Sequence, residues 1–345
     1  MFLEKLLMLF FFALISCTFW RPGLCLQCNR TLGKSALANL NALSVPSRLR
    51  VTGKLLSPIL RKRVSGTENN TLVREFIKGQ LEALNWHVEI DSFEAQTPLK
   101  VIPFHNIIAT KNFKAPRKLI FAAHYDSKYF SPPNDNFIAA TDSAVSCAIL
   151  IDLAISLNAL LDKQKDDSVS IQLVFFDGEE AFKEWNDEDS VYGARHLAAR
   201  WKRESALSRF DHFSNYQSRL DSIELFVLLD LLGSENTPLY SLKKNTHNFY
   251  LKLYELETKL MKYKLSPPTL KQRQIAGIPY FGARVDDDHR PFENLDVSIL
   301  HLIPLQFPPF WHTLGDDSSV VSERIVNHLT LLFRAFIAEY LCLEP

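Results

Sequence analysis

Short, continuously apolar runs set apart by helical stretches constrain this chain more than any other feature. Lys118–Ala123 and Val169–Phe176 have strand length and little polar alternation, the pattern of strands covered on both faces. Glu224–Leu232 and Val297–Leu302 repeat it, and Val88–Ile90 and Asn106–Thr110 add shorter candidates. Between them, Asp142–Leu160 reads as a long apolar helix, and Ser322–Tyr340 as a final one. Ahead of the strands, Thr71 is placed to cap a helix reaching residues 79–84, with Val73, Phe76, Ile77 and Leu81 on one face. Residues 29–68 are polar and helical in places, over Leu37–Leu43 and Ser47–Leu56. Strands separated by helices predict an α/β fold: a central mixed, mostly parallel β-sheet flanked by helices on both faces. With 345 residues, 47% of them hydrophobic, the chain can bury one large domain of this kind. In such sheets functional groups collect at the carboxyl ends of strands.

Charge excludes some partners. Lys+Arg and Asp+Glu both number 39, and no basic stripe or acidic tail stands out, so no nucleic-acid partner is expected. Leu6–Trp20 is apolar apart from Ser16, Cys17 and Thr18, and Arg21-Pro22-Gly23 ends it. About 15 apolar residues fall short of the roughly 20 a bilayer span needs and suit the core of a signal peptide. Residues 1–25 are therefore expected to be a signal peptide or signal anchor, with 26–68 an N-terminal helical extension and 69–345 the main α/β domain. Sequons at Asn29 and Asn69 fit a secreted glycoprotein; Golgi anchoring and a mitochondrial presequence stay open as alternatives. Cysteines 17, 25, 28, 147 and 342 show neither metal-ligand pairing nor a disulfide framework. A monomer is expected.

Polar residues interrupt or end the apolar runs. His124-Tyr125-Asp126 follows Ala123, Asp142 opens the long helix, and Asp177-Gly178-Glu179-Glu180 follows Phe176. Asp230 sits within Leu228–Leu232, and Trp311-His312 follows a Pro-rich stretch. Each has an ordinary reading: a helix cap, a solvated loop, a core histidine. Asp230 resists it, because a carboxylate in an apolar run is costly unless paired or bound to a cation. All of these residues also fall at one edge of the inferred sheet. Zinc catalysis needs such a set, with three N/O ligands, an open position and a neighbouring carboxylate as general base. Adjacent Glu179 and Glu180 supply that division of labour. No GxSxG elbow is present for a serine hydrolase.

Taken together, His124–Phe130, Ala140–Val145, Phe175–Phe182, Tyr192–Ala198, Leu228–Leu231, Asp287–Phe292, Leu300–Pro304 and Trp311–Thr313 resemble zinc exopeptidases of the M28 type. The resemblance is closer to the animal glutaminyl-peptide cyclotransferases, and it runs from about residue 70 to the C-terminus. It implies one zinc ion per chain on Asp142, Glu180 and His312, with Glu179 as acid/base. It puts Asp230 at the reacting amide nitrogen and makes Asp287 its hydrogen-bonded partner, chosen among Asp286–Asp288 by counting from His289. Trp185, Phe307 and Trp311 become the substrate pocket. The implied reaction closes N-terminal glutamine of peptides and proteins into pyroglutamate and releases ammonia. A two-zinc aminopeptidase stays open as the alternative, since His124 and Asp230 could complete a second site with Asp142 bridging. A receptor-like domain on an inactive exopeptidase fold ranks below both, because every metal and base position is intact. The chain departs from the family at Ala123, where a cysteine usually pairs with the position of Cys147; Cys147 is therefore expected to be an unpaired buried thiol.

Overall fold

The computed structural model describes residues 31–204, 218–270 and 272–345. The leader expected at 1–25 and the first sequon asparagine, Asn29, lie outside the described residues; Asn69 of the second sequon is exposed.

In chain order the elements are α1 (Lys34–Ala42), α2 (Glu68–Glu82), β1 (His87–Gln96), β2 (Val101–Thr110), β3 (Arg117–His124), α3 (Val145–Leu161) and β4 (Val169–Phe176). There follow α4 (Tyr192–Arg203), β5 (Ile223–Leu229), β6 (Leu239–Ser241), α5 (His247–Lys262), β7 (Ile275–Pro279), α6 (Arg290–Glu293), β8 (Ile299–Leu302) and α7 (Glu323–Tyr340). The main sheet has the order β1-β2-β4-β3-β5-β8, and β6 with β7 makes a separate two-stranded sheet. β1, β2 and β4 pair antiparallel, while β4, β3, β5 and β8 are mutually parallel. The expected mixed, mostly parallel sheet is what forms.

The apolar runs explain the layering. Every residue of β4 is buried, because both of its faces are covered. Leu119, Phe121 and Ala123 of β3 join one core with α2, α3, α5 and α7, while Ile120 and Ala122 join another with α4 and Phe292. Each fully buried Leu, Ile, Val or Phe contributes roughly 1.5–3 kcal/mol, so these two cores dominate the folding energy. Ala140–Leu161, which holds α3, is long and apolar enough to pass for a membrane span, yet it lies inside the fold, which is why α3 lacks a polar face.

Several boundaries differ from the sequence reading. α2 begins earlier than expected and is capped by Thr67, whose hydroxyl accepts from the Asn70 N–H, not by Thr71. Ser47–Leu56 holds only the end of a short 3-10 turn and further turns, with no α-helix. α3 starts at Val145, because Asp142 and Ser143 have non-helical backbone and Ala140–Ala144 winds as one wide turn. β5 ends at Leu229, so Asp230 stands just beyond the strand instead of within it. α4, α5 and the β6–β7 pair were not read from the sequence at all.

Candidate active site

The carboxyl ends of β3, β4 and β5 deliver His124, the 177–180 loop and Asp230 to one place. The Asp177–Glu180 turn requires glycine: Gly178 has left-handed backbone (φ +76), and a Cβ there would stand 2.4 Å from the Phe104 ring. Asp126 then aligns both glutamates, accepting the backbone N–H of Glu179 at 3.1 Å and of Glu180 at 3.3 Å. Asp142 is held through its backbone. The buried guanidinium of Arg63 donates to the carbonyls of Tyr125, Ile138, Ala139 and Asp142, and Asp316 accepts from Thr141 N and Oγ1. His312 sits at φ 54, a left-handed conformation that turns its ring back toward the sheet edge.

Asp142, Glu180 and His312 present donor atoms within 4.8 Å of one another. His312 Nε2 lies 3.4 Å from Asp142 Oδ2 and 3.3 Å from Glu180 Oε1. Both of those oxygens are buried and have no hydrogen-bond partner among the described residues. Buried, unbonded carboxylate oxygens facing an imidazole are costly without a cation, and an N/O/O donor set suits a zinc-type ion. Burial opposes the charge on His312, but Asp142 and Glu180 outweigh it and push the imidazole up to about 9. The remaining Glu180 oxygen, Oε2, accepts from Lys128 Nζ at 3.2 Å.

A second set, His124, Asp142 and Asp230, is equally close. Here the contacts are internal: His124 Nε2 is 3.0 Å from Asp142 Oδ1 and 3.4 Å from Asp230 Oδ1, and Ser143 Oγ donates to Asp230. Burial works against a charged His124, yet Asp126, Asp142 and Asp230 hold it well above the usual imidazole range.

A cavity of about 370 Å³ opens over the first set, lined by Asp142, Glu179, Glu180, Asp230, His312 and the expected aromatics Trp185, Phe307 and Trp311. Trp311 stacks on His312 at 3.8 Å between ring centroids, and Phe307 meets Trp311 edge-on at 4.7 Å. Trp185 and Trp311 remain 39% and 37% exposed, so a ligand in the cavity would cover apolar surface. Burial, and then the charges of Glu180, Asp287 and Asp288 against that of His124, raise the Glu179 carboxyl well above the carboxylate range. Burial likewise lifts Asp230 to about 6, with Asp142 and Asp287 adding to it and His124 opposing.

Asp287 lies behind this cavity instead of lining it. Its Oδ2 is 2.7 Å from His301 Nε2 and its Oδ1 accepts from Asp288 N, and no direct bond to Asp230 is found among the described residues. The three consecutive aspartates separate cleanly: Asp286 is exposed and paired with Arg290, Asp287 is bonded to His301, and Asp288 is buried with both oxygens unpartnered among the described residues. Sequence reasoning assigned no role to Asp126, Lys128, His301 or Arg63. Asp126 and His301 lay inside the quoted motifs, but nothing in their spacing revealed which groups they hold. Cys147 is a buried free thiol that donates to the His124 carbonyl at 3.1 Å, while Cys342 is disulfide-bonded.

Residues 106–337 match Peptidase family M28. A glutaminyl-peptide cyclotransferase of Drosophila melanogaster is 42% identical over 299 residues, covering 83% of this chain and 79% of that one. One of Dictyostelium discoideum is 39% identical over 317 residues, covering 86% of each. The crystal structure of Macrostomum lignano glutaminyl cyclase superposes with a TM-score of 0.83 at 35% identity, covering 92% of this chain and 95% of that one.

Proposed function

We propose, from the premise that this chain belongs to the glutaminyl-peptide cyclotransferases of peptidase family M28, that it converts N-terminal glutamine of peptides and proteins to pyroglutamate with release of ammonia. One observation carries the reading. The donor set with two unbonded oxygens opens on the same cavity as a protonatable glutamate, a buried aspartate and the aromatic side chains.

In this reading Asp142, Glu180 and His312 hold one zinc ion, which when bound supplies a Lewis acid for the γ-carbonyl oxygen. The substrate's α-amine attacks its own γ-carbonyl carbon. The new C–N bond forms as the bond to the amide nitrogen breaks. Glu179 takes the proton the amine gives up and hands it to the departing nitrogen, which leaves as ammonia. Its raised carboxyl suits a group that must hold a proton between the two steps. Asp230 accepts a hydrogen bond from the leaving nitrogen, with the Asp287 carboxylate behind it adding negative charge but no direct bond, and His301 bonded to Asp287. Trp185, Phe307 and Trp311 fold the short side chain toward the amine and exclude water.

The second reading, a two-metal aminopeptidase, is favoured by the closeness of His124, Asp142 and Asp230. A peptide beginning with glutamine separates the two. The expected products are ammonia and an intact chain with a blocked N-terminus, with almost no cleavage of peptides beginning with Leu or Ala. Efficient release of free N-terminal amino acids would return the chain to the aminopeptidases.

A further inference from the structure

At the opposite edge of the sheet, where β3 and β5 begin, lies a second cavity of about 50 Å³. The length of β3 at roughly 3.3 Å per residue separates it from the candidate active site by about 20 Å. Its charged lining is entirely cationic: Lys114, Lys118 and Arg219 contribute, and no aspartate or glutamate does.

Three features of this lining go beyond a surface cluster of basic residues. Lys118 is only 9% exposed, and its ammonium has a single partner among the described residues, the Ala115 carbonyl. Trp201 is 1% exposed, and its buried indole N–H has no acceptor among the described residues. Arg219 stacks over the Trp201 ring at 4.6 Å and pairs with Glu89 and Glu204, but both pairs use Nη1 and leave Nε and Nη2 uncommitted among the described residues. A buried ammonium with a single carbonyl acceptor, and a buried indole N–H with none among the described residues, leave donor capacity unused at a cost in free energy that an anion would recover.

We propose that this cavity binds one small tetrahedral oxyanion, inorganic phosphate or sulfate, through Lys118, Trp201 and Arg219. Size supports the choice. One water needs roughly 10–15 Å³ of accessible cavity, so the space suits an ion with the bulk of a few waters and is too small for an organic ligand. Burial, with the like charge of Arg219 behind it, pushes the Lys118 amine down to about 8, the direction that an adjoining anion opposes. The site also ties together the 113–118 turn, α4 and the start of β5, so occupancy would stabilise the edge of the sheet.

The test follows the thermal midpoint of the metal-loaded protein against phosphate, sulfate and chloride at constant ionic strength, alongside equilibrium dialysis with labelled phosphate. Phosphate and sulfate are expected to raise the midpoint saturably, chloride much less, with about one phosphate bound per chain. Lys118→Met removes one donor at nearly constant bulk, and Trp201→Phe removes another with a smaller ring left under Arg219. Both should weaken phosphate binding at least tenfold, each read against its own midpoint without anion. Repeating the titration in metal-free His312→Ala separates this site from phosphate captured by an active-site ion, and the response should persist there. An absent phosphate response, an equal chloride response, undiminished binding in both variants, or a response lost in His312→Ala would each overturn the proposal.

Discussion

The Asp142–Glu180–His312 set and the His124–Asp142–Asp230 set share one carboxylate, but they meet their electrostatic needs differently. In the second, imidazole, carboxylates and the Ser143 hydroxyl bond to one another, so an incoming cation must displace those contacts. In the first, Asp142 Oδ2 and Glu180 Oε1 reach only ion-pair distance from His312 and are otherwise unbonded among the described residues. His312 lines the large cavity and His124 does not. Proximity of donors is thus a weak criterion for a metal site; donors left with spare lone pairs beside an open cavity are a stronger one.

The largest expected effect breaks the comparison outright. His312→Ala should lose both bound metal and turnover, whereas His124→Ala should keep about one metal per chain by elemental analysis. Loss of one metal from each variant, starting from two, would make the sets equivalent. Glu179→Gln comes next. It touches neither set's donors, so metal content should stay unchanged while turnover falls roughly 10²–10⁴-fold, the usual worth of a general acid–base group. Metal loss in that variant would mean that Glu179 and Glu180 have exchanged roles.

The smallest effect is on stability. Burial raises Asp177 to about 7, aided by Asp126, and Asp316 to about 7, aided by Asp142. It also raises Asp230 to about 6. Between about pH 4 and 7 the folded, metal-free protein therefore holds protons that the unfolded chain has already released. Its stability should be greatest at the acid end of that window and fall as pH rises through it. The thermal midpoint of stripped protein should drop by a few °C across this range, and metal loading should flatten or reverse the trend. Parallel curves for stripped and loaded protein would sever the link between Asp142 and its acidic neighbours.

The strands that carry these residues were legible because β3 and β4 are covered on both faces, and such burial writes an uninterrupted apolar run into the sequence. α4 and α5 escaped notice because each buries only part of its circumference, leaving a mixed pattern beside loops. At the site, residue types at the strand ends pointed to metal chemistry, and family resemblance selected Asp142, Glu180 and His312. Neither could show that Asp287 bonds to His301 instead of Asp230, because that is decided by the direction of a loop side chain toward strand β8. The reading of Asp142 as the opening of a regular helix failed for a related reason: Arg63 and Asp316 bond the 139–142 backbone from outside and replace the local helical pattern.

Arg63 bears on how the chain can be divided. Residues 26–68 look from their sequence like an appendage ahead of the catalytic domain, yet this guanidinium from the supposed appendage is fully buried against the Asp142 backbone. A shortened protein starting at residue 69 would leave four carbonyl groups beside the reaction centre facing an empty slot. Modularity therefore ends upstream of Arg63: swapping, trimming or fusing at the apparent boundary would alter the enzyme's chemistry before it altered its outline.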